Sequence, residues 1–257
     1  MWRAVGTSVV GASHQKLQIP CQDSCDYRSC ILGSERVLII GIADGAGSAK
    51  ASDIGSQEIV AHLLREISNC GLGLIEVQEQ VVGDWLQSAR EHLSNVAAEK
   101  GIAVNDLACT VLFAILGDSR AVFGQVGDGA WIIRANGNYT PATWPSRGEY
   151  ANQTTFITST NWREVMQFKT VREPLSAIAG FSDGLQDVAL HFASRSVHAP
   201  FFDSKFEALE TIDDDTSLRA PLIEFLSSAA LGERTDDDKT LVLACRREVK
   251  LLGNTTC

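Results

Sequence analysis

One short stretch of the chain, Leu38 to Ser48, constrains the fold most strongly. An apolar, β-branched run is followed without a break by Asp44, Gly45, Ala46 and Gly47. Such a run is typical of a buried strand, and its abrupt end in glycines predicts a tight turn. The strand therefore delivers the carboxylate of Asp44 to a glycine-rich turn. Taken alone, the pattern also fits an ordinary Asp-Gly turn at the end of a strand.

The recurrence of this pattern favours a shared site. Apolar runs also end in Asp-Gly at Phe123 to Gly129 and at Ile178 to Gly184, and three aspartates, Asp236 to Asp238, precede the apolar run Leu241 to Cys245. Most of these carboxylates have no Lys or Arg beside them, so gathered at strand ends they would repel one another unless a cation lay between them. The sequence therefore predicts a metal cluster held by aspartates.

Length and composition favour one domain that binds neither nucleic acid nor a membrane. The 257 residues are 45% hydrophobic and no Pro/Gly/Ser-rich linker divides them, so residues 1–257 are predicted to form a single domain. The net charge of −10 disfavours nucleic acid and anionic lipid as partners. The absence of a secretory signal and of an apolar stretch of about 18 residues predicts a cytoplasmic protein.

Cysteine usage favours reduced thiols. The seven cysteines are irregularly spaced, and the one cluster, Cys21, Cys25 and Cys30, lacks a Cys-x-x-Cys pair. We therefore expect free thiols, with a zinc site at this cluster as the less favoured alternative.

The order of predicted elements indicates an α+β fold with antiparallel sheets. Trp2 to Val10 is predicted to be a first strand, and helical periodicity covers Ser52 to Cys70, Leu74 to Ala98 and Asp203 to Ala230. Strands grouped in hairpins between these helical stretches argue against regular βαβ alternation. Residues 138–162, rich in Pro, Ser, Thr and Asn, are predicted to form a flap-like insertion over the site.

Five short motifs stand in a fixed order along nearly the whole chain. They are Gln22-Asp23, Ala43-Asp44-Gly45-Ala46-Gly47-Ser48, Val126-Gly127-Asp128-Gly129, Phe181-Ser182-Asp183-Gly184 and Thr235-Asp236-Asp237-Asp238-Lys239-Thr240. In this order they resemble the metal-dependent protein phosphatase family, also called protein phosphatase 2C. The bacterial branch of the family is the one that the sequences of Pro20 to Asp23, Gly148 to Asn152 and Glu233 to Thr240 resemble most. The resemblance implies the family fold, a four-layer sandwich of two antiparallel β-sheets packed face to face and flanked by helix pairs.

The resemblance also implies a reaction. Members of the family are protein serine/threonine phosphatases, which hydrolyse phosphoserine and phosphothreonine through a hydroxide activated by a binuclear Mn²⁺ or Mg²⁺ centre. Carboxylate and carbonyl oxygens suit such hard ions. Two ions, and in bacterial members a third, are therefore the expected cofactors. Phosphorylated proteins, the products of a serine/threonine kinase, are the expected partners.

A set of metal ligands follows from the same resemblance. They are Asp44, the Gly45 carbonyl, Asp183, Asp237 and Asp128. Asp44 would bridge the two ions, and Asp183 with Asp237 would complete the shell of the first. Asp128, together with Asp183, would hold the third, weaker ion.

The resemblance also implies a role for Asp23 and a choice between Asp237 and Asp238. Asp23 would orient the attacking water from outside the metal shell, which makes it a candidate catalytic residue beside Asp44 and Asp183. Asp237 is preferred to Asp238 as a ligand by its register before the last strand.

Three positions depart from the family pattern. Gln22 stands where many members have Glu, so one metal site lacks a negative charge. Ala46 stands where animal members carry a His thought to protonate the leaving group, so that proton must come from water or from another residue. The Arg that grips the substrate phosphate is missing, and His14, in a predicted loop between Gly11 and Ser24, is the nearest candidate for this role. A solvated histidine without a role is the alternative.

Two other functions fit parts of the sequence. Residues 180–184 match the Gly-x-Ser-x-Gly pattern of serine hydrolases, which would make Ser182 the nucleophile. The histidines that follow, His191 and His198, and the intervening Asp187 are crowded into one short segment, which disfavours a triad. The second alternative is a non-catalytic phosphoprotein-binding module on the same fold. Its expected signature is loss of the bridging aspartate, whereas this chain retains it.

Overall fold

Twelve strands and eight helices make up the described chain, residues 1–146, 154–212 and 216–246 of the computed structural model. In chain order the strands are β1 (Trp2–Val9), β2 (Ser24–Leu32), β3 (Glu35–Ala43), β4 (Val111–Leu116), β5 (Ala121–Val126), β6 (Ala130–Ala135), β7 (Asn138–Pro141), β8 (Gln167–Val171), β9 (Ala177–Phe181), β10 (Leu190–His191), β11 (Ser196–Val197) and β12 (Lys239–Arg246). The helices are α1 (Ala12–Leu17), α2 (Ser52–Asn69), α3 (Glu79–Lys100), α4 (Trp162–Val165), α5 (Gln186–Ala189), α6 (Ala199–Thr211), α7 (Thr216–Leu226) and α8 (Ala229–Gly232). Short 3₁₀ turns lie at Leu74–Glu76, Val104–Leu107 and Asp183–Leu185.

Ten of these strands form two five-stranded sheets in which neighbouring strands run antiparallel. The first sheet has the order β1-β12-β9-β6-β7, and the second has the order β2-β3-β4-β5-β8. Strands β10 and β11 pair as a separate ribbon. The chain crosses from the second sheet to the first between β5 and β6, through Gly127, Asp128 and Gly129.

Side-chain alternation along the strands gives each sheet two apolar faces. In β12, Leu241 and Leu243 belong to the core shared with helices α6 and α7, whereas Val242 and Ala244 belong to the core between the two sheets. This division follows from the period of two along a strand. Trp131, fully buried, fills the space between the sheets.

Helices α2 and α3 cover the outer face of the second sheet. Val60 and Leu64 of α2 and Trp85 of α3 share a buried cluster with Phe113 of β4, and the Trp85 and Phe113 rings meet edge to face at 6.2 Å. The layers therefore run helix, sheet, sheet, helix, which confirms the α+β four-layer sandwich. Within the described ranges, no helix is both long enough and apolar enough to cross a membrane.

The predicted flap begins with a strand and not with irregular structure. Residues Asn138–Pro141 were predicted to be irregular, but they form β7, which pairs with β6. Asn136 and Gly137 connect the two strands with positive φ angles of 49° and 78°. Asn-Gly in this conformation is the favoured two-residue hairpin turn, so the local turn chemistry overrides the polar composition.

The rest of the predicted flap is described only in part. Residues 147–153, which include the motif Gly148 to Asn152, lie outside the described residues. After them, Ile157 is fully buried and its amide donates a hydrogen bond to the carbonyl of Cys109 (2.9 Å). Phe156 packs against Ala46 and Ala108. This end of the segment is therefore attached beside the turn that carries Asp44.

The predicted loop after β1 contains a short helix. Ala12–Leu17 forms the six-residue helix α1, and Gln18 ends it in a left-handed conformation (φ 58°). A helix of fewer than two turns is too short to show a 3.6-residue apolar period, which explains why the sequence pattern did not reveal it. His14 is buried on this helix and is not a solvated loop residue.

We expect Gly180→Ala to destabilise the sandwich. Gly180 of β9 lies opposite Trp131 of β6, and a Cβ at Gly180 would come within 2.2 Å of the indole ring. Because the ring is fully buried, the substitution should lower the free energy of unfolding by about 1–3 kcal/mol, measured by urea denaturation. Gly232→Ala is the matched control, because no atom lies within 4 Å of a Cβ there. Equal midpoints for the two variants would contradict the packing described here.

Candidate metal centre

Asp44 lies immediately beyond β3, where backbone hydrogen bonds fix the turn. Its amide donates to the Thr110 hydroxyl (2.9 Å), and the Thr110 amide donates to the Asp44 carbonyl (2.7 Å). The next two amides are also bonded: Gly45 donates to the Gln22 carbonyl (3.1 Å) and Ala46 to the Ala108 carbonyl (2.9 Å). The backbone is thus satisfied by its neighbours, which leaves the Asp44 carboxylate free to face the cavity.

Asp128 lies in the crossing between the sheets, and a buried amide shapes this crossing. Gln125 Nε2 donates to the carbonyls of Gly127 (3.1 Å) and Gly129 (2.7 Å). The Thr154 hydroxyl donates to the Asp128 carboxylate. Gln125 was not singled out from the sequence, although a polar residue inside an apolar strand run is the signal that marks it.

Asp183 follows β9, where the first sheet brings two strand ends together. The next residue, Gly184, lies against Asp238, the residue just before β12. A Cβ on Gly184 would be 2.0 Å from the Asp238 carbonyl oxygen. Only glycine permits this approach. The Asp183 and Asp237 segments therefore lie side by side.

Three of the predicted ligands converge. Oxygens of Asp44, Asp128 and Asp183, all half-buried, lie within 4.8 Å of one another. They line a cavity of about 200 Å³. Its other walls include Gly45, Asp237, His14, Thr110, Thr154 and Phe156. Asp237 thus faces the same cavity from outside the three-carboxylate group. Thr110, Thr154 and Phe156 were not singled out from the sequence.

Comparison with known proteins decides the family. The family model described as protein phosphatase 2C matches residues 10–227. The chain belongs to the protein phosphatase 2C family. It is 36% identical over 251 residues to serine/threonine-protein phosphatase 3 of Escherichia coli, and the match covers 95% of this chain and 98% of that protein.

Solved structures of low sequence identity share the protein phosphatase 2C fold. The S. agalactiae serine/threonine phosphatase is 18% identical, with a TM-score of 0.65 and coverage of 96% of this chain and 100% of that chain. The catalytic domain of PstP, solved in complex with two manganese ions, is 18% identical, with a TM-score of 0.60 and coverage of 96% and 99%. These likenesses confirm the fold implied by the sequence motifs.

The electrostatics of this protein phosphatase 2C cavity call for a cation. Burial, together with the charges of Asp23 and Asp183, raises the pKa of Asp44 well above its ordinary range. Burial and the charge of Asp128 raise the pKa of Asp183 to about 6. Burial also raises the pKa of Asp237. Carboxylates this close resist ionising together, and a divalent ion among them removes the repulsion.

Asp23 lies behind the cavity and joins the two sheets. Its Oδ2 accepts hydrogen bonds from the hydroxyls of Ser182 and Thr240, each at 2.7 Å. Its Oδ1 is buried and has no hydrogen-bond partner among the described residues. Burial is the main cause that raises the pKa of Asp23 to about 7. An unpartnered buried carboxylate oxygen next to the cluster indicates a water or ion partner.

Gln22 presents a second unpartnered oxygen. Its side chain is buried, and no group in the described part of the chain donates a hydrogen bond to its Oε1. An amide oxygen is a suitable ligand for Mn²⁺ or Mg²⁺. The donor set, made only of oxygens, and the two orphaned atoms of Gln22 and Asp23 therefore fit divalent metal ions.

Asp238 is held by the protein itself. Its two oxygens accept hydrogen bonds from the amides of Gly11 and Gln22, both at 2.6 Å. Its Oδ2 also lies 3.0 Å from Nδ1 of His14. Asp238 thus lies beside His14 at the cavity wall, whereas Asp237 is the more exposed member of the aspartate pair.

The serine hydrolase alternative has no counterpart in the geometry. The Ser182 hydroxyl is fully buried, donates to Asp23 and accepts from the Thr240 amide (3.0 Å). His191 and His198 bond each other through Nε2 and Nδ1 at 3.1 Å. Within the described ranges, no hydrogen bond joins a histidine to Ser182.

The described cysteines do not form the alternative zinc site. None of the six described cysteines, Cys21, Cys25 and Cys30 among them, forms a disulfide bond. In the same part of the chain, the only group of three or more potential metal ligands is the aspartate cluster. The reduced state of the thiols stays a prediction.

We expect metal-free protein to lose stability as the pH rises. An aspartate whose folded pKa is raised binds more protons in the folded than in the unfolded state, so stability falls between the ordinary pKa, about 4, and the folded values near 6 and 7 of Asp183 and Asp23. In EDTA, the melting temperature should fall by several degrees from about pH 5 to 7.5, because raising a pKa by one pH unit on folding corresponds to about 1.4 kcal/mol. Saturating Mn²⁺ should abolish this slope. A melting temperature that rises through this range in EDTA would contradict the electrostatics described.

We expect Gln22→Glu to act in opposite directions with and without metal. A carboxylate at this buried position adds repulsion to the cluster but supplies a charged ligand when an ion is bound. The melting temperature in EDTA should fall, whereas the Mn²⁺ concentration that gives half-maximal binding should drop several-fold in calorimetry. Gln57→Glu, at an exposed position on α2, controls for the added charge alone. Weaker Mn²⁺ binding by Gln22→Glu would contradict a ligand role.

Proposed function

We propose that this chain is a metal-dependent protein phosphatase that hydrolyses phosphoserine and phosphothreonine. The observation that carries the proposal is the convergence of Asp44, Asp128 and Asp183 within 4.8 Å, in a chain of the protein phosphatase 2C family. The name of the Escherichia coli relative, a serine/threonine-protein phosphatase, supports the substrate class.

The oxygen ligands at the cavity suit two Mn²⁺ or Mg²⁺ ions. Asp44 would bridge these ions, the Gly45 carbonyl would be a further ligand, and Asp183 with Asp237 would complete the shell of the first ion. Asp128 and Asp183 would hold a third, weaker ion. When bound, such ions acidify a water molecule and neutralise charge on a phosphate. The two manganese ions in the PstP catalytic domain support this assignment.

The protein groups around these ligands have distinct tasks. Asp23 accepts from Ser182 and Thr240 with one oxygen, so its unpartnered Oδ1 is the acceptor that orients the attacking water. His14, held by Asp238, faces the same cavity and is our candidate for contacting the substrate phosphate. Both tasks use hydrogen bonds aimed from fixed positions, which is how a rigid site lowers a reaction barrier.

Substrates and location follow from the same reaction class. The partners are phosphorylated proteins produced by a serine/threonine kinase, and residues 1–257 act as one domain whose segment around 138–162 shapes the substrate groove. We place the protein in the cytoplasm, because the irregular spacing of its seven cysteines favours free thiols. A non-catalytic phosphoprotein-binding module remains the second candidate, but the bridging Asp44 that such a module would lack is in place.

Adjacent residues Ser182 and Asp183 provide the sharpest test. Asp183→Asn removes a charge from the cluster, so hydrolysis of a phosphothreonine peptide with Mn²⁺ should fall by at least about 100-fold. Ser182→Ala removes hydroxyl bonds to Asp23 and Thr240, worth about 0.5–1.5 kcal/mol each, and should retain measurable metal-dependent activity. Initial rates should vanish in EDTA and return with excess Mn²⁺.

The opposite pattern would overturn the proposal. Activity that survives EDTA and Asp183→Asn but is lost in Ser182→Ala would support a serine hydrolase. Binding of the phosphopeptide by the Mn²⁺-loaded wild type without any release of phosphate would support the binding module. Circular dichroism of both variants excludes unfolding as the cause of lost activity.

A further inference from the structure

A second, larger cavity lies outside the metal centre. It has a volume of about 510 Å³ and is bounded by α5, the β10–β11 ribbon, the first turns of α6, the end of α7 and α8. Cavities of this size are typical of small-molecule sites. The reaction proposed above does not use any residue that lines it.

The wall of this cavity combines aromatic rings with an amine. Nζ of Lys205 lies 4.2 Å from the centre of the Phe201 ring and 3.8 Å from that of Phe225. The amine donates one hydrogen bond, to the Phe201 carbonyl (2.6 Å), although an ammonium group has three donors. Burial lowers the pKa of Lys205 to about 8, so the amine is still mostly charged at neutral pH, and an anion beside it would raise the pKa again.

The charges on the wall favour an anion. Arg234 contributes a second cation, and neither Lys205 nor Arg234 forms an ion pair with any described carboxylate. Among the described lining residues, Asp187 is the one acid. With the histidines neutral, the wall thus carries two positive charges against one negative, in a chain whose net charge is −10. A local reversal of sign of this kind attracts anions selectively.

Helix α6 adds to the same potential. It begins at Ala199 beside the cavity and has no acidic residue in its first turn. Pro200 has no amide hydrogen and the Phe201 amide donates to the His198 carbonyl (3.0 Å), so the helix contributes through its dipole and not through a row of free amides. The partial positive charge of a helix N-terminus therefore acts in the same direction as Lys205 and Arg234.

We propose that this cavity binds a small organic anion with an apolar, planar body. The anionic group would lie between Lys205 and Arg234, and the body would pack against Phe201, Phe225 and Leu231. This inference does not depend on the phosphatase reaction, because no residue of the aspartate cluster takes part.

A pair of fluorescent probes tests the proposal in Mg²⁺-loaded protein. 8-Anilinonaphthalene-1-sulfonate is an aromatic anion, and N-phenyl-1-naphthylamine is its neutral analogue. We expect the sulfonate to bind the wild type, and Lys205→Met and Arg234→Gln each to weaken it at least about 10-fold, as expected for loss of one charge-assisted contact. Binding of the neutral amine should change by less than about twofold, the ordinary scatter of independent surface changes.

Lys169→Met, an exposed lysine on β8, is the matched control and should bind both probes as the wild type does. Sulfonate affinities that are unchanged in both cavity variants would overturn the proposal. Equal losses for the sulfonate and the neutral amine would also overturn it, because they would show an apolar cavity without anion recognition. The phosphatase rates of the same variants are measured in parallel, so that a failure of the anion site can be told apart from a failure of the function proposed above.

Discussion

The structure depends on holding three mutually repelling carboxylates together. Oxygens of Asp44, Asp128 and Asp183 lie within 4.8 Å, and burial with mutual charge raises the pKa of Asp44 and Asp183. No isolated turn would keep such groups at this distance, because their repulsion favours separation. The rigid ends of packed strands keep them there, and a divalent ion among them would turn the repulsion into coordination.

The four-layer sandwich supplies that rigidity from both sheets at once. Asp44 ends a strand of the second sheet, Asp183 ends a strand of the first, and Asp128 lies where the chain crosses between them. Asp23, at the start of β2, accepts hydrogen bonds from Ser182 and Thr240 of the first sheet. One carboxylate thus ties the sheets together beside the centre, while its second oxygen is left for a ligand.

The sequence predicted the sandwich and the convergence of Asp44, Asp128 and Asp183, because both depend on local patterns. Apolar runs ending in Asp-Gly mark strand ends, and their order matches the family. Strand β7 was missed although Asn136 and Gly137 carry a hairpin signal, because composition was given more weight than turn chemistry.

Other features have either no local signal or a signal that does not reveal the partner of the residue. Helix α1 is too short to show periodicity, and the contact between His14 and Asp238 joins residues far apart in the chain. The contribution of Gln125 to the Asp128 crossing likewise depends on which carbonyls surround its amide. Tertiary packing decides these features, so they become visible only in three dimensions.

Manganese positions in a crystal test the central claim most directly. Crystals grown with Mn²⁺, with diffraction recorded at the manganese absorption edge, report where the ions lie independently of any assay. The account predicts at least two anomalous peaks in the cavity, one of them within about 2.0–2.6 Å of carboxylate oxygens of both Asp44 and Asp183. A map of saturated crystals without a peak within about 3 Å of Asp44 would contradict it, since no coordination bond to manganese is that long.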